Sequence, residues 1–413
     1  MKAEILTIGD ELLIGQVIDT NSAWIGQQMN LIGIRIERIT SISDNATEIL
    51  SNLADALKRS DVVLVTGGLG PTRDDITKQT LCEFFNTKLV FNPEAYNDIE
   101  TFFKRKGLAI TELNRQQALL PESCISIPNP IGTARGMWFE ANGRILVSMP
   151  GVPFEMKGMM ADYVLPQLAK LTGNHAIVHK TIMTTGIGES FLAARIETWE
   201  NQLPENMKLA YLPSPGMVRL RITATGSDFV LLKQAVDEQV ERLIPLASDY
   251  IYGYDDEQLE QVIGRLLKQK DASLSTAESC TGGYVSHLIT SVPGSSAYFV
   301  GSVVSYSNQV KMNQLGVTYS SLVQHGAVSK QVVEQMALGA NHLLQTDYAI
   351  AISGIAGPEG GTDEKPVGLV WIAIAGPKGV QSQEFRFGDE RDRNIRRAAL
   401  AALNMLRKIL LKI

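Results

Sequence analysis

The residues best equipped for chemistry lie between Ser275 and Lys311, where Glu278, Ser279, Cys280, Thr281, Ser296, Tyr306 and Lys311 gather a carboxylate, hydroxyls, a thiol, a phenol and an amine. Glu278-Ser279-Cys280-Thr281-Gly282-Gly283 separates a short strand, Ala272 to Ala277, from a helix expected to start near Tyr284. A helix start offers free N–H groups and the positive end of its dipole, so this turn suits an anion or an activated nucleophile. Gly282 and Gly283 let a ligand approach the main chain closely. Serine, threonine and glycine also build ordinary turns, and a second loop tips the balance towards a site. Ser353-Gly354-Ile355-Ala356-Gly357 leaves the apolar strand Tyr348 to Ile352, and in open α/β sheets ligands collect at the carboxyl ends of strands.

Neither glycine loop contains a histidine, which argues against a Ser-His-Asp triad. Lys311 is the natural base if burial lowers its pKa, giving a Ser–Lys pair. Cys280 is a rival nucleophile, because a helix N-terminus can lower a thiol pKa, although a small buried residue is its commoner role. Glu278 either positions Lys311 or pairs on the surface.

A second cluster lies near the N-terminus. Gly9-Asp10-Glu11, Thr66-Gly67-Gly68-Leu69-Gly70-Pro71-Thr72-Arg73-Asp74-Asp75 and Met149-Pro150-Gly151-Val152-Pro153-Phe154-Glu155-Met156-Lys157 each follow an apolar strand. Glycines at a strand end admit a phosphate, and Asp74 and Asp75 can hold a divalent metal or simply cap a helix. Three such loops with acids and glycines imply a shared crevice. Arg135 is either a phosphate contact or a solvated loop residue.

The elements that position these loops alternate strand and helix, the pattern of parallel sheets covered on both faces. The chain has 413 residues, 45% of them hydrophobic, enough for two or three cores. Residues 1–172 and 255–413 read as α/β domains. Residues 173–254 read β-α-β-β-α, a small α+β domain with a hairpin across Pro213-Ser214-Pro215-Gly216 and a short strand and linker to Tyr254. No apolar run reaches the length of a bilayer span, and Met1-Lys2-Ala3-Glu4 enters a strand with no signal-peptide pattern, so a cytoplasmic protein without membrane contact is expected. Three widely spaced cysteines give neither a disulfide framework nor a zinc site. The closest histidines, His175 and His179, sit in a polar connection. A formal net charge of −6 supplies no basic footprint for nucleic acid.

TAESCTGG, PGSSAYFVGSVVSYSNQVK and SGIAGPEGGTDEKPVG in the last third, with GDELLIGQVIDTNS, TGGLGPTRDDITK and MPGVPFEMKGM in the first 170 residues, resemble the CinA family. That resemblance implies two α/β/α sandwich domains, an N-terminal molybdopterin-binding-like domain and a C-terminal nicotinamide mononucleotide (NMN) deamidase domain, joined by a small α+β KH-like domain. Pro213-Ser214-Pro215-Gly216 lacks the Gly-x-x-Gly clamp of nucleic-acid-binding KH modules, so the middle domain is expected to be a spacer or a dimerisation element.

For the C-terminal domain the resemblance implies a cofactor-free serine/lysine amidohydrolase at Ser279, Ser296, Tyr306, Lys311 and Ser353. Ser296 is slightly favoured as nucleophile, since Ser279 at a helix N-terminus suits phosphate binding. Thr281, Gly282, Gly283, Gly354 and Gly357 are the expected substrate contacts. Arg391 or Arg396, among Arg393 and Arg397, is expected to meet the substrate's phosphate. For the N-terminal domain it implies an ADP-ribose pyrophosphatase dependent on a divalent metal (Mg, Mn or Co) at Asp10, Glu11, Asp74 and Asp75, with Asn21, Gly67, Gly68, Lys78, Glu155 and Lys157 about the substrate. A homodimer acting on NMN and ADP-ribose in pyridine-nucleotide salvage follows by analogy. The alternatives are a deamidase with a non-catalytic pterin- or nucleotide-binding N-terminal domain, and a non-enzymatic competence or DNA-damage partner protein.

Overall fold

A computed structural model of the chain describes every residue except 73, 173–175 and 413; Arg73 and His175 therefore lie outside the described residues. The chain divides into two units, Met1–Val178 with Thr225–Leu232 and His179–Ala224 with Lys233–Ile413. No helix among the described residues is long and apolar enough to cross a membrane.

The first unit contains strands β1 (Lys2–Ile8), β2 (Arg35–Ile42), β3 (Val62–Thr66), β4 (Leu89–Phe91), β5 (Leu119–Pro121), β6 (Ile125–Ile127), β7 (Gly136–Ala141) and β8 (Arg144–Met149). Six of them form one sheet in the order β2-β1-β3-β8-β7-β6. The four strands β2, β1, β3 and β8 run parallel, whereas β7 and β6 add antiparallel. The expected all-parallel sheet thus gains an antiparallel edge, because Asn142-Gly143 closes β7 onto β8 as a tight hairpin. Alternating strand residues face opposite ways. Leu6, Val63, Val65 and Leu146 enter one core, and Ala3, Ile5, Leu64 and Val147 enter the other. Helix Ala46–Arg59 covers the first face through Ile49, Leu53 and Ala56, spaced one turn apart, with Asn45 as its N-cap.

Strands β9 (Ala176–Thr185), β10 (Met207–Ser214), β11 (Met217–Gly226) and β12 (Ile251–Tyr254), which lie mostly in the second unit, form a sheet in the order β10-β11-β9-β12. The expected linker strand therefore completes this sheet. The hairpin turn narrows to Pro215-Gly216 between the paired Ser214 and Met217. Met183, Met217 and Tyr252 share a core with Leu259, Leu400 and Leu403, and buried Arg407 donates to the carbonyls of Ile251 and Asp249 at 2.9 and 2.6 Å. The small α+β part is thus built against helices Leu259–Gln269 and Arg391–Leu411.

The remaining strands are β13 (Leu274–Glu278), β14 (Phe299–Val304), β15 (Tyr348–Gly354), β16 (Leu369–Gly376) and β17 (Gly379–Arg386), in the order β14-β13-β15-β16-β17. β14, β13 and β15 are parallel; β16 and β17 are antiparallel additions. Ala277, Ala349, Ala351, Ala373 and Ala375 face helix Lys330–Leu344, while Leu274, Ile350, Ile352, Val370 and Ile372 face helices Leu259–Gln269 and Arg391–Leu411. Small side chains on the first face let its helix lie close to the sheet. A β-carbon on Gly339 of that helix would collide with the Leu315 carbonyl, so glycine there seats helix Asn308–Leu315, the carrier of Lys311.

Candidate active sites

In the second unit, alternation carried past Ala277 and Ala351 places Ser279 and Ser353 on the alanine face, where the parallel ends of β13 and β15 meet. Helix Asn308–Leu315 starts at Ser307, whose hydroxyl accepts from Val310 N, and stops at Gly316; Lys311 and Leu315, one turn apart, are its buried residues. Lys311 is only 1% exposed. Its Nζ donates to Ser279 Oγ at 3.0 Å and to Ser305 O at 2.7 Å. Burial lowers its pKa, as the Ser–Lys reading requires.

Ser296 does not join this pair. It lies exposed in the turn Ser295–Ala297 that precedes β14, at the amino end of a strand parallel to β13. Five residues of strand separate that edge from Ser279, about 16 Å. The preference for Ser296 therefore passes to Ser279. Cys280 is no thiolate, since burial pushes its thiol up to about 12.

Glu278 fills the place expected of an external anion. Fully buried, its carboxylate accepts from the N–H groups of Gly283, Val285 and Ser286 at 3.1, 3.0 and 2.8 Å, and from the hydroxyls of Thr281 and Ser286 at 2.8 and 2.5 Å. It pairs neither with Lys311 nor on the surface. Substituting Glu278→Gln puts an amide donor against these donors and should cost about 2–3 kcal/mol of unfolding free energy in urea titrations.

Arg391 joins the second glycine loop to the segment that follows β14, donating to Gly357 O at 2.8 Å and to the exposed Tyr306 hydroxyl at 3.2 Å. Asn394, not singled out from sequence, is 1% exposed and donates to Ala356 O and Gly388 O at 2.9 and 2.7 Å. Its place three residues after Arg391, on the same helix face, was the available signal. Arg396 lies apart, lining a cavity of about 600 Å³ with Thr281, Gly282 and Gly283, which Ser279 and Lys311 do not line. Ser353 donates to Ala327 O at 2.7 Å and braces the loop before helix Lys330–Leu344. Gly354 lies against Val370 of β16.

In the first unit, a cavity of about 550 Å³ is lined by Gly67, Gly68 and six acids, Asp10, Glu11, Asp44, Asp74, Asp75 and Glu155. Among the described lining residues there is no lysine or arginine. Asp44 was missed, although it follows the carboxyl end of β2, the edge that carries the other loops. Burial raises its pKa, and Asp10, Glu11 and Asp75 add to the rise. Burial likewise raises Glu155, which accepts from Asn129 Nδ2 at 2.6 Å.

Four expected contacts do other work. The Asp75 carboxylate accepts from Gly70 N, Thr72 N and the Thr72 hydroxyl at 2.7, 2.9 and 2.5 Å, holding the loop. Asn21 donates to Thr66 Oγ1 and Gly151 O at 3.2 and 2.8 Å, tying two strand ends together. Lys78 turns away to Gln117 O, its pKa lowered to about 8 by burial. Lys157 lies 5.7 Å from the Trp24 ring centre. Arg135, 7% exposed, is held by Asp98 and Glu94 and is no phosphate contact. Among the described residues, no three His, Cys, Asp or Glu side chains converge closely enough to hold a metal ion. The donor chemistry nevertheless suits a hard divalent cation, since the acids share one cavity with no counter-charge among its described lining residues.

Comparison with known proteins matches these parts in order. Residues 4–170 match a probable molybdopterin binding domain, 179–253 the KH domain of damage-inducible protein CinA, and 256–410 the CinA C-terminal domain. A CinA-like protein of Flavobacterium psychrophilum is 49% identical over 417 residues, covering 100% of this chain and 99% of its own. One from Cytophaga hutchinsonii is 46% identical over 406 residues, covering 98% and 97%. A crystal structure of competence/damage inducible protein CihA from Agrobacterium tumefaciens is 41% identical over 37% of this chain and 93% of that one, with a TM-score of 0.36. With likeness running the full length of the chain and through both clusters of strand-end loops, this protein belongs to the CinA family.

Proposed function

We propose that the second unit deamidates NMN to nicotinate mononucleotide and ammonia, with Ser279 as nucleophile and Lys311 as base. The observation that carries this reading is the buried 3.0 Å contact between Lys311 Nζ and Ser279 Oγ. Neutral Lys311 takes the hydroxyl proton as Oγ attacks the carboxamide carbon, then passes it to the departing nitrogen as the C–N bond breaks. Water, deprotonated by the same amine, cleaves the acyl-serine and restores both groups. Among the described residues no main-chain carbonyl accepts from the N–H groups of Cys280 and Thr281, which leaves them for the oxyanion. Arg391, fixed between Tyr306 and Gly357, is the proposed phosphate contact. Ammonia release from NMN by the purified protein tests the reading; a folded chain that releases none refutes it.

For the first unit the proposed reaction is hydrolysis of ADP-ribose to AMP and ribose 5-phosphate. Asp10, Glu11, Asp44 and Asp74 would hold a divalent ion, which supplies charge neutralisation for the diphosphate. Gly67 and Gly68 leave room for the phosphate oxygens, and Glu155, kept more readily protonated by burial, is placed to hand on a proton. Chelation with EDTA is expected to stop AMP release from ADP-ribose while leaving ammonia release from NMN within about twofold. Because no three of the described acids converge, the second reading is a pterin- or nucleotide-binding domain without catalysis. No AMP release under any of Mg, Mn or Co would establish it.

A further inference from the structure

Inside the second unit, a cavity of about 650 Å³ opens between β17, helix Arg391–Leu411 and the turns Gly186-Ile187-Gly188 and Pro213–Gly216. It shares no lining residue with the Ser279–Lys311 site. That volume is in the range of small-molecule sites.

The walls divide by chemistry. Phe385 and Phe387, with ring centres 5.7 Å apart and planes 13° from parallel, make an apolar side with Leu400 and Met405. The lining also carries Arg386, Arg397 and Lys408 and a single carboxylate, Glu189. Arg386 is already held by Glu384 at 2.9 Å and Lys408 Nζ lies 6.0 Å from the Tyr250 ring centre, whereas no ion pair among the described residues engages Arg397. Helix Glu189–Glu200, 12 residues long, starts at the rim, and no side chain caps its first turn. Asn404 is 7% exposed, and its Oδ1 accepts from Arg407 Nε at 2.9 Å. Its Nδ2 has no acceptor among the described residues and points at Gly186, 2.9 Å from where a β-carbon would sit.

A phenyl wall alone suits a neutral apolar molecule; a free cation sharing a cavity with a helix N-terminus suits a bare anion. Both occur here, with a buried amide donor between them. We propose that this cavity is a ligand site for a nucleoside monophosphate. The base lies against Phe385 and Phe387, the phosphate meets Arg397 and the first turn of helix Glu189–Glu200, and Asn404 Nδ2 donates to the ligand. This assignment is independent of the reactions proposed above.

The test is hydrogen–deuterium exchange on the full chain with AMP and, separately, with inorganic phosphate. AMP is expected to slow exchange in residues 186–191 and 383–387. Arg397→Ala, and Ala401→Trp, which fills the cavity, should each raise the AMP concentration needed there by about tenfold or more. Arg397→Ala touches no core contact, so it remains decisive if Ala401→Trp fails to fold. The proposal is overturned if AMP slows neither segment up to about 1 mM, or if protection persists undiminished in Arg397→Ala. Equal protection by phosphate alone also overturns it, leaving a bare anion site.

Discussion

Replacing Ser279 by alanine is expected to reduce ammonia release from NMN by about ten-thousand-fold or more, with the fold intact, because the side chain that forms the covalent bond is gone. Ser296→Ala is expected to stay within about twofold of wild type, since that hydroxyl lies at the far edge of the sheet. The pair separates the two serines in one assay. A deep loss in Ser296→Ala beside an active Ser279→Ala would reverse the assignment. Cys280→Ala should retain activity, because its thiol stays protonated at neutral pH.

The second large effect is at Lys311. Lys311→Met, close in shape but with no base, should lose about a hundred- to ten-thousand-fold in kcat. Stability should move the other way or not at all. The lysine's folded pKa lies below its ordinary value of 10.5, so the unfolded chain binds more protons between the two values and stability rises with pH there. Below the folded pKa the cost of the buried charge is fully present, and methionine removes it. The urea midpoint of Lys311→Met at pH 7 is therefore expected at or above that of wild type. A fall of more than about 1 kcal/mol would show the amine to be mainly structural. In wild type, kcat/KM should climb with pH along a limb whose midpoint lies below 10.5. Lys311→Arg should abolish that limb with the activity, since guanidinium does not deprotonate.

Much of this site was legible in the sequence because glycine-rich turns after apolar runs mark strand ends, and parallel strands bring such ends to one edge. That logic placed Ser279 beside Ser353 and gathered Asp10, Gly67, Asp74 and Glu155. It also held two answers that went unused. Ser296 precedes a strand parallel to β13 and so belongs to the amino edge. Asp44, just past the carboxyl end of β2, belongs with the acids. Other features were not readable at all. Whether the Asp75 carboxylate at the cavity wall stays free or is taken up by Thr72, and whether Lys78 turns inward or towards Gln117, depends on side-chain directions that spacing leaves free. The burial of Glu278 depends on helix Tyr284–Thr290 closing over it, a tertiary event.

The Glu278 turn reaches the folded state with its counter-ion already attached to the chain. Three N–H groups that elsewhere would attract phosphate or sulfate from solution are occupied from within. Oxyanions in an assay buffer cannot take the place that Glu278 holds, so inhibition by phosphate or sulfate should report on Arg391 and on the Cys280 and Thr281 N–H groups. The same arrangement makes the shape of the nucleophile's turn insensitive to ionic strength, because its organising charge cannot diffuse away.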